Sequence, residues 1–164
     1  MPLVIGQNLP DANFCRIVDG DVGQVALRSL SAGKKLVLFG LPGAFTRTCS
    51  TQHLPGFVGA AGDFREKGVN HVVCVSVNDP WVIQAWDAAT GAGKAGVDLL
   101  ADADSAFTIA MGLQFSAPAV GFINRCKRFS LFADDGVIRA VNLETERGVC
   151  DLTTAQTLLA QIQA

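Results

Sequence analysis

The chain has 164 residues, 49% of them hydrophobic and 17% charged, with a formal net charge of -2. That length suits one packed domain over residues 1–164 and is short for two. The near-neutral charge gives no electrostatic ground for a nucleic-acid partner, no apolar run is long enough to span a bilayer, and the first residues show no secretory or transit leader; a cytoplasmic protein is expected, with a processed organellar form as the alternative.

In chain order, residues 12–27 contain two short extended runs about Asp19-Gly20, a predicted hairpin. KLVLF at 35–39 reads as a buried strand, ended by Gly40 and Pro42. A helix is predicted over about 46–67, interrupted at Pro55 and stopped by Gly68, with Phe57, Ala60, Ala61 and Phe64 on one face. HVVCVSV at 71–77 is a second buried strand. Asp79 and Pro80 open a helix that turns Val82, Trp86 and Ala89 inward and ends at Gly91. Asp104 caps a short helix carrying Phe107, Ala110 and Met111, and 119–123 reads as a strand. Segments 128–133 and 137–143 pair antiparallel across Asp134-Asp135-Gly136. A last helix over about 152–163 directs Leu158, Leu159 and Ile162 to the core. A parallel crossover followed by an antiparallel pair and a helix is the core of a thioredoxin-like α/β fold, a central mixed sheet flanked by helices, here with an N-terminal hairpin added.

The five cysteines, Cys15, Cys49, Cys74, Cys126 and Cys150, are odd in number and include no CxxC pair. This argues against a disulfide framework and a zinc site alike, and His53 and His71 are too far apart to restore a metal reading. No metal site is expected. Cys49 stands just after a strand, in the first turn of the following helix, where unpaired N–H groups and the positive end of the helix dipole favour a thiolate over a thiol. The thiolate is the form that attacks a peroxide. Pro42 can shield such a sulfur from water, Thr46 can offer it a hydroxyl from one turn earlier, and an arginine from elsewhere can stabilise the leaving oxygen. The same string also fits an ordinary helix cap and a half-buried inert thiol.

PGAFTRTCSTQHLPGF, residues 42–57, resembles the active-site segment of peroxiredoxins of the peroxiredoxin-5 and plant type II group. Pro42, Thr46 and Cys49 meet that family's short signature of proline, three residues, threonine, two residues and cysteine. Similar runs follow at 72–82 (VVCVSVNDPWV), 99–107 (LLADADSAF) and 127–144 (KRFSLFADDGVIRAVNLE), so the resemblance extends over essentially the whole chain. It implies a thioredoxin-like enzyme that reduces hydrogen peroxide and organic hydroperoxides without metal or bound organic cofactor, works as a homodimer, and draws electrons from thioredoxin or from glutaredoxin and glutathione. Cys49 matches the peroxidatic cysteine and Arg125 the active-site arginine, leaving Lys127 and Arg128 as solvated cations at a strand end. His53 matches an accessory hydrogen-bonding histidine. Arg47 departs from the pattern, standing where the group usually has proline.

For recycling the sulfenic acid, the resemblance offers two cysteines. Cys150, in the polar loop with Gly148, is favoured over Cys74, which lies inside a strand; a one-cysteine enzyme recycled by glutathione is the third reading. Cys15 is expected to pack in the hairpin, and Cys126 to be exposed and open to glutathionylation. A CxxC disulfide oxidoreductase is disfavoured, since Thr46 occupies the place of its earlier cysteine. The remaining alternative is a non-catalytic peroxide sensor or holdase that uses Cys49 oxidation as a switch.

Overall fold

In the computed structural model, which describes residues 3–163, the predicted N-terminal hairpin is Asn13–Val18 (β1) against Asp21–Ala26 (β2). A short helix, Leu27–Ser31 (α1), leads into Lys35–Leu41 (β3). A π turn, Cys49–His53, runs directly into Leu54–Glu66 (α2). His71–Ser76 (β4), Pro80–Thr90 (α3), Ala92–Ala95 (α4) and Val97–Ala101 (β5) follow. Next come Ala106–Ala110 (α5), Gln114–Ala117 (β6), Phe122–Cys126 (β7), Phe129–Asp134 (β8), Val137–Leu143 (β9) and Ala155–Gln161 (α6).

Seven strands form one sheet in the order β2-β1-β5-β4-β3-β8-β9, and β6 and β7 make a separate two-stranded ribbon. The apolar runs β3, β4 and β5 pair in parallel, as strands covered on both faces do, while β8 and β9 add an antiparallel edge. Phe39, Phe57, Phe64 and Trp86 fill the core on one side of the sheet, and Phe14, Phe107 and Phe129 that on the other. This is the thioredoxin-like mixed α/β fold. Among the described residues no helix is long and apolar enough to cross a membrane.

Several elements depart from the sequence expectation. β5 was not foreseen. In α3 Ile83 is buried with Pro80 and Trp86, Val82 packs only partly, and Ala89 is exposed. The carboxylate of Asp102, more than that of Asp104, caps α5, accepting from the N–H groups of Phe107 and Thr108. Of residues 119–123 only Phe122 and Ile123 are strand, as the start of β7; Pro118–Val120 is a 3-10 turn closed by left-handed Gly121. The last helix starts only at Ala155, where the Thr154 hydroxyl accepts from the Thr157 N–H.

Candidate active site

The loop after β3 is anchored by its own backbone and by neighbouring segments. Asn78 Oδ1 accepts from the Ala44 N–H at 3.0 Å and from Ser76 Oγ at 2.6 Å, tying the loop to the end of β4. Thr46 Oγ1 donates to the Gly43 carbonyl at 2.7 Å, and the Thr46 carbonyl accepts from the Ser50 N–H as the helix starts. Arg125 Nη1 donates to the Pro42 carbonyl at 3.0 Å and lies so close that a Cβ on Gly43 would sit 2.5 Å from it. A side chain there would have to displace the guanidinium. Phe45 takes a positive φ of 63°, a strained choice for a bulky residue, and its ring is exposed.

The predicted interruption at Pro55 takes the form of the π turn. Proline has no N–H to donate and crowds the carbonyl one turn back. The ladder widens just before it, so that the Leu54 N–H bonds the Cys49 carbonyl, and the helix continues. Cys49 and His53, at the two ends of that turn, are each 1% exposed. Trp86 Nε1 donates to Ser50 Oγ at 3.2 Å, placing an indole against the same turn.

Arg128 joins these residues. Its Nη2 donates to Cys49 Sγ at 3.2 Å, and its Nη1 lies 3.1 Å from His53 Nδ1. A guanidinium can only donate, so Nδ1 is the acceptor and the ring proton sits on Nε2, which donates to the Thr153 carbonyl at 3.1 Å. Burial, with the Arg128 charge adding to it, lowers the His53 pKa to about 3, so the ring is neutral. Arg128 is 5% exposed, and its Nε finds no acceptor among the described residues.

The sequence expectation for the arginines is therefore corrected. Arg128 is no solvated cation at a strand end, and the guanidinium on the sulfur is its own; Arg125 reaches the rim of the loop instead. Register explains the exchange. Phe129 of β8 lies opposite Gly40 of β3, which sets residue 128 at the level where β3 gives way to the Cys49 loop. Arg125 belongs to the ribbon, opposite Phe115. Lys127 is exposed, as expected.

Of the other cysteines, Cys74 is 1% exposed inside β4, between Phe39 and Leu99, and burial pushes its thiol well above the usual range. Cys126 was expected at the surface but is wholly buried, because it ends β7 with its side chain turned into the core beside Gly40 and Phe129; burial pushes its pKa up to about 12. Cys15 is half-buried, its thiol also pushed up by burial. Cys150 is buried, with Sγ 3.9 Å from Thr153 Oγ1, and burial raises its pKa as well. All five thiols are free.

Sequence reading missed Glu144. Its Oε1 accepts from the backbone N–H groups of Asp151, Leu152 and Thr153 at 2.7, 2.7 and 2.9 Å, and from Thr153 Oγ1 at 3.0 Å. A cavity of about 350 Å³ beside the site is lined by Pro42, Phe115, Arg128, Leu143 and Arg147. A neighbouring groove brings in Thr46, Arg47 and Val120.

The redoxin family matches residues 5–159. Peroxiredoxin-2E-2, chloroplastic, of Oryza sativa subsp. japonica is 43% identical over 161 residues, covering 96% of this chain and 71% of that protein. Peroxiredoxin-2C of the same organism is 41% identical, with 96% and 97% covered. Among solved structures, reduced Prx3 in complex with H2O2 from Vibrio vulnificus superposes with a TM-score of 0.90 at 37% identity, covering 98% of this chain and 99% of that one. Peroxiredoxin 5 from Alvinella pompejana gives 0.84 at 28% identity, with 98% of each chain covered.

Proposed function

Since the chain belongs to the redoxin family and is a peroxiredoxin, a thiol-dependent peroxidase that takes a peroxide substrate and a thiol reductant such as thioredoxin, we propose that Cys49 is the sulfur that attacks the peroxide. The observation that carries this reading is the hydrogen bond from Arg128 Nη2 to Cys49 Sγ. A charge-assisted donor of this kind favours the anionic sulfur, and a fixed guanidinium stabilises negative charge on a departing oxygen without first reorganising water. The Cys49 sulfur attacks one peroxide oxygen, the O–O bond breaks, and the alcohol or water leaves; sulfur is oxidised to a sulfenic acid and the peroxide reduced. Arg128 Nε, a buried N–H with no protein acceptor among the described residues, is suited to receive a peroxide oxygen. Thr46 and Pro42 shape the loop around the sulfur, Arg125 holds that loop by the Pro42 carbonyl, and neutral His53 orients Arg128.

Cys150 is the resolving thiol in this reading. It sits in a segment outside the sheet, whereas Cys74 lies within β4 and would require that strand to open. The reductant is thioredoxin or glutaredoxin with glutathione. The protein pairs as a homodimer through the apolar side chains exposed around the loop, Phe45, Trp81 and Val120; Phe45→Glu is expected to lower the sedimenting mass to that of one chain. Free thiols suit a reducing compartment, the cytoplasm or, as in the relatives called chloroplastic, a plastid.

Mass spectrometry of peroxide-treated protein tests the assignment. Wild type is expected to yield a Cys49–Cys150 disulfide, Cys150→Ser to stop at oxidised Cys49, and Cys49→Ser to lose turnover. Steady turnover by Cys49→Ser would refute the choice of nucleophile, and a Cys49–Cys74 disulfide the choice of resolving thiol.

A further inference from the structure

We propose that Glu144 is a positioning residue for the resolving step, a latch whose single carboxylate oxygen holds the Cys150 segment in place until Cys49 has been oxidised. The proposal rests on the reading of Cys49 and Cys150 given above.

Three consecutive backbone N–H groups immediately after Cys150, and the Thr153 hydroxyl, all converge on Glu144 Oε1. Glu144 is 8% exposed and Thr153 wholly buried, whereas Asp151 and Leu152 are exposed, so water competes least for the two bonds from Thr153. Glu144 itself is anchored to the site, since its own N–H donates to the Arg128 carbonyl at 3.1 Å. Elsewhere the segment is held by neutral bonds: the Thr48 hydroxyl donates to the Gly148 carbonyl at the surface, and His53 Nε2 donates to the Thr153 carbonyl. Charge-assisted bonds are roughly twice as strong as neutral ones, which makes the carboxylate the dominant restraint on this stretch.

The latch also communicates with the reacting sulfur. From Glu144 a continuous chain of polar contacts passes through Thr153 to His53 Nε2, from His53 Nδ1 to Arg128, and from Arg128 to Cys49 Sγ. Oxidation of Cys49 changes the acceptor that Arg128 sees, and the Thr153 carbonyl at the other end belongs to the segment that must move. By linkage, if release of the segment alters the environment of the sulfur, oxidation of the sulfur biases release to the same degree.

Once the segment is free, the Cys150 sulfur attacks the sulfur of the Cys49 sulfenic acid. The S–S bond forms, the S–O bond breaks, and the hydroxide leaves as water with the proton of the Cys150 thiol. An external dithiol then reduces the disulfide. While the latch holds, the sulfenic acid persists and is exposed to a second peroxide, which converts it to the sulfinic acid.

Rapid-mixing fluorescence of the full chain, with Trp86 against the reacting turn, resolves the peroxide step and the disulfide step as separate phases. Glu144→Gln keeps the shape and an acceptor oxygen but loses the charge; the disulfide step is expected to quicken by about tenfold, the loss of a charge-assisted contribution, with less than about a twofold change in the peroxide step. Thr153→Val, which removes the hydroxyl donor to Glu144 together with its contact to Cys150 Sγ, is expected to quicken it less. The sulfinic fraction formed under excess peroxide should fall in the same order. A general loosening of the fold would move both phases together and overturn the proposal, as would an unchanged disulfide step in both variants. If wild type forms no Cys49–Cys150 disulfide, the underlying choice of resolving thiol fails and takes the latch with it; if the disulfide forms at the same rate with and without the carboxylate, only the latch fails.

Discussion

Arg128 Nη1 and His53 Nδ1 meet at 3.1 Å, and that contact sets which ring nitrogen carries the proton, while burial, with the Arg128 charge adding to it, keeps the imidazole uncharged. With Nδ1 occupied as an acceptor, Nε2 must donate, and the Thr153 carbonyl stands 3.1 Å away to receive it. The guanidinium is thereby held so that its other terminal nitrogen faces Cys49 Sγ.

Arg128→Ala should slow the oxidation of Cys49 by about 10²- to 10³-fold, the usual cost of removing one donor from a site of developing negative charge. Arg128→Lys should fall between the two, because an ammonium cannot address sulfur and imidazole with separate prongs. Arg125→Ala should cost less than Arg128→Ala. The second-order rate constant with peroxide, measured by rapid mixing, checks the order, and a larger loss at Arg125 would reverse the assignment of the two arginines.

The lowered His53 pKa has a consequence for acid stability. Below its ordinary value of 6.5 the unfolded chain binds a proton that the folded one refuses, until the pH nears 3. Stability from this source is thus complete above pH 6.5 and is lost as the pH falls, with a slope of at most about 1.4 kcal/mol per pH unit. Between pH 7 and pH 5 the loss from this residue should be about 2 kcal/mol. Urea unfolding of wild type and His53→Gln at both values measures it. The variant has no such titration, so an equal pH dependence in the two proteins would contradict the burial of a neutral ring.

Gly43→Ala is expected to act through Arg125. The added Cβ would meet Nη1 at 2.5 Å and the Thr46 methyl carbon at 3.2 Å, displacing the guanidinium from the Pro42 carbonyl. Peroxide reactivity should drop by about tenfold, comparable to one hydrogen bond. Arg125→Ala should cost about as much, and the double variant no more than either alone, as for two changes that remove one interaction. Additive losses in the rate constants would show that Gly43 matters for another reason.

Long apolar runs and turn residues were legible in the sequence. KLVLF and HVVCVSV are buried strands because both their faces are covered, and Asp134-Asp135-Gly136 closes a hairpin with positive φ at Asp135 and Gly136. Cys49, Thr46 and Pro42 were placed by local spacing, which a loop and a first helical turn preserve. The short strand β5 was harder to see, since five residues between Gly96 and Asp102 carry little periodicity of their own. The choice between Arg125 and Arg128 was beyond local reading, because it depends on where β8 stands against β3, nearly ninety positions apart in the chain. Cys126 was misjudged for a related reason: its polar flanks suggested a surface, but its side chain points opposite to theirs. Glu144 was invisible because its partners are backbone amides, which leave no mark on composition.

The place of β3 within the sheet governs how the molecule opens. It exchanges ladder bonds with β4 on one flank and β8 on the other, so it has no free edge from which to fray. Amide protons along β3 are therefore expected to trade with deuterium more slowly than those of residues 151–153, which bond a side-chain carboxylate outside the sheet. Cys49 thus follows a strand paired on both flanks, while Cys150, its proposed partner, lies in a segment outside the sheet.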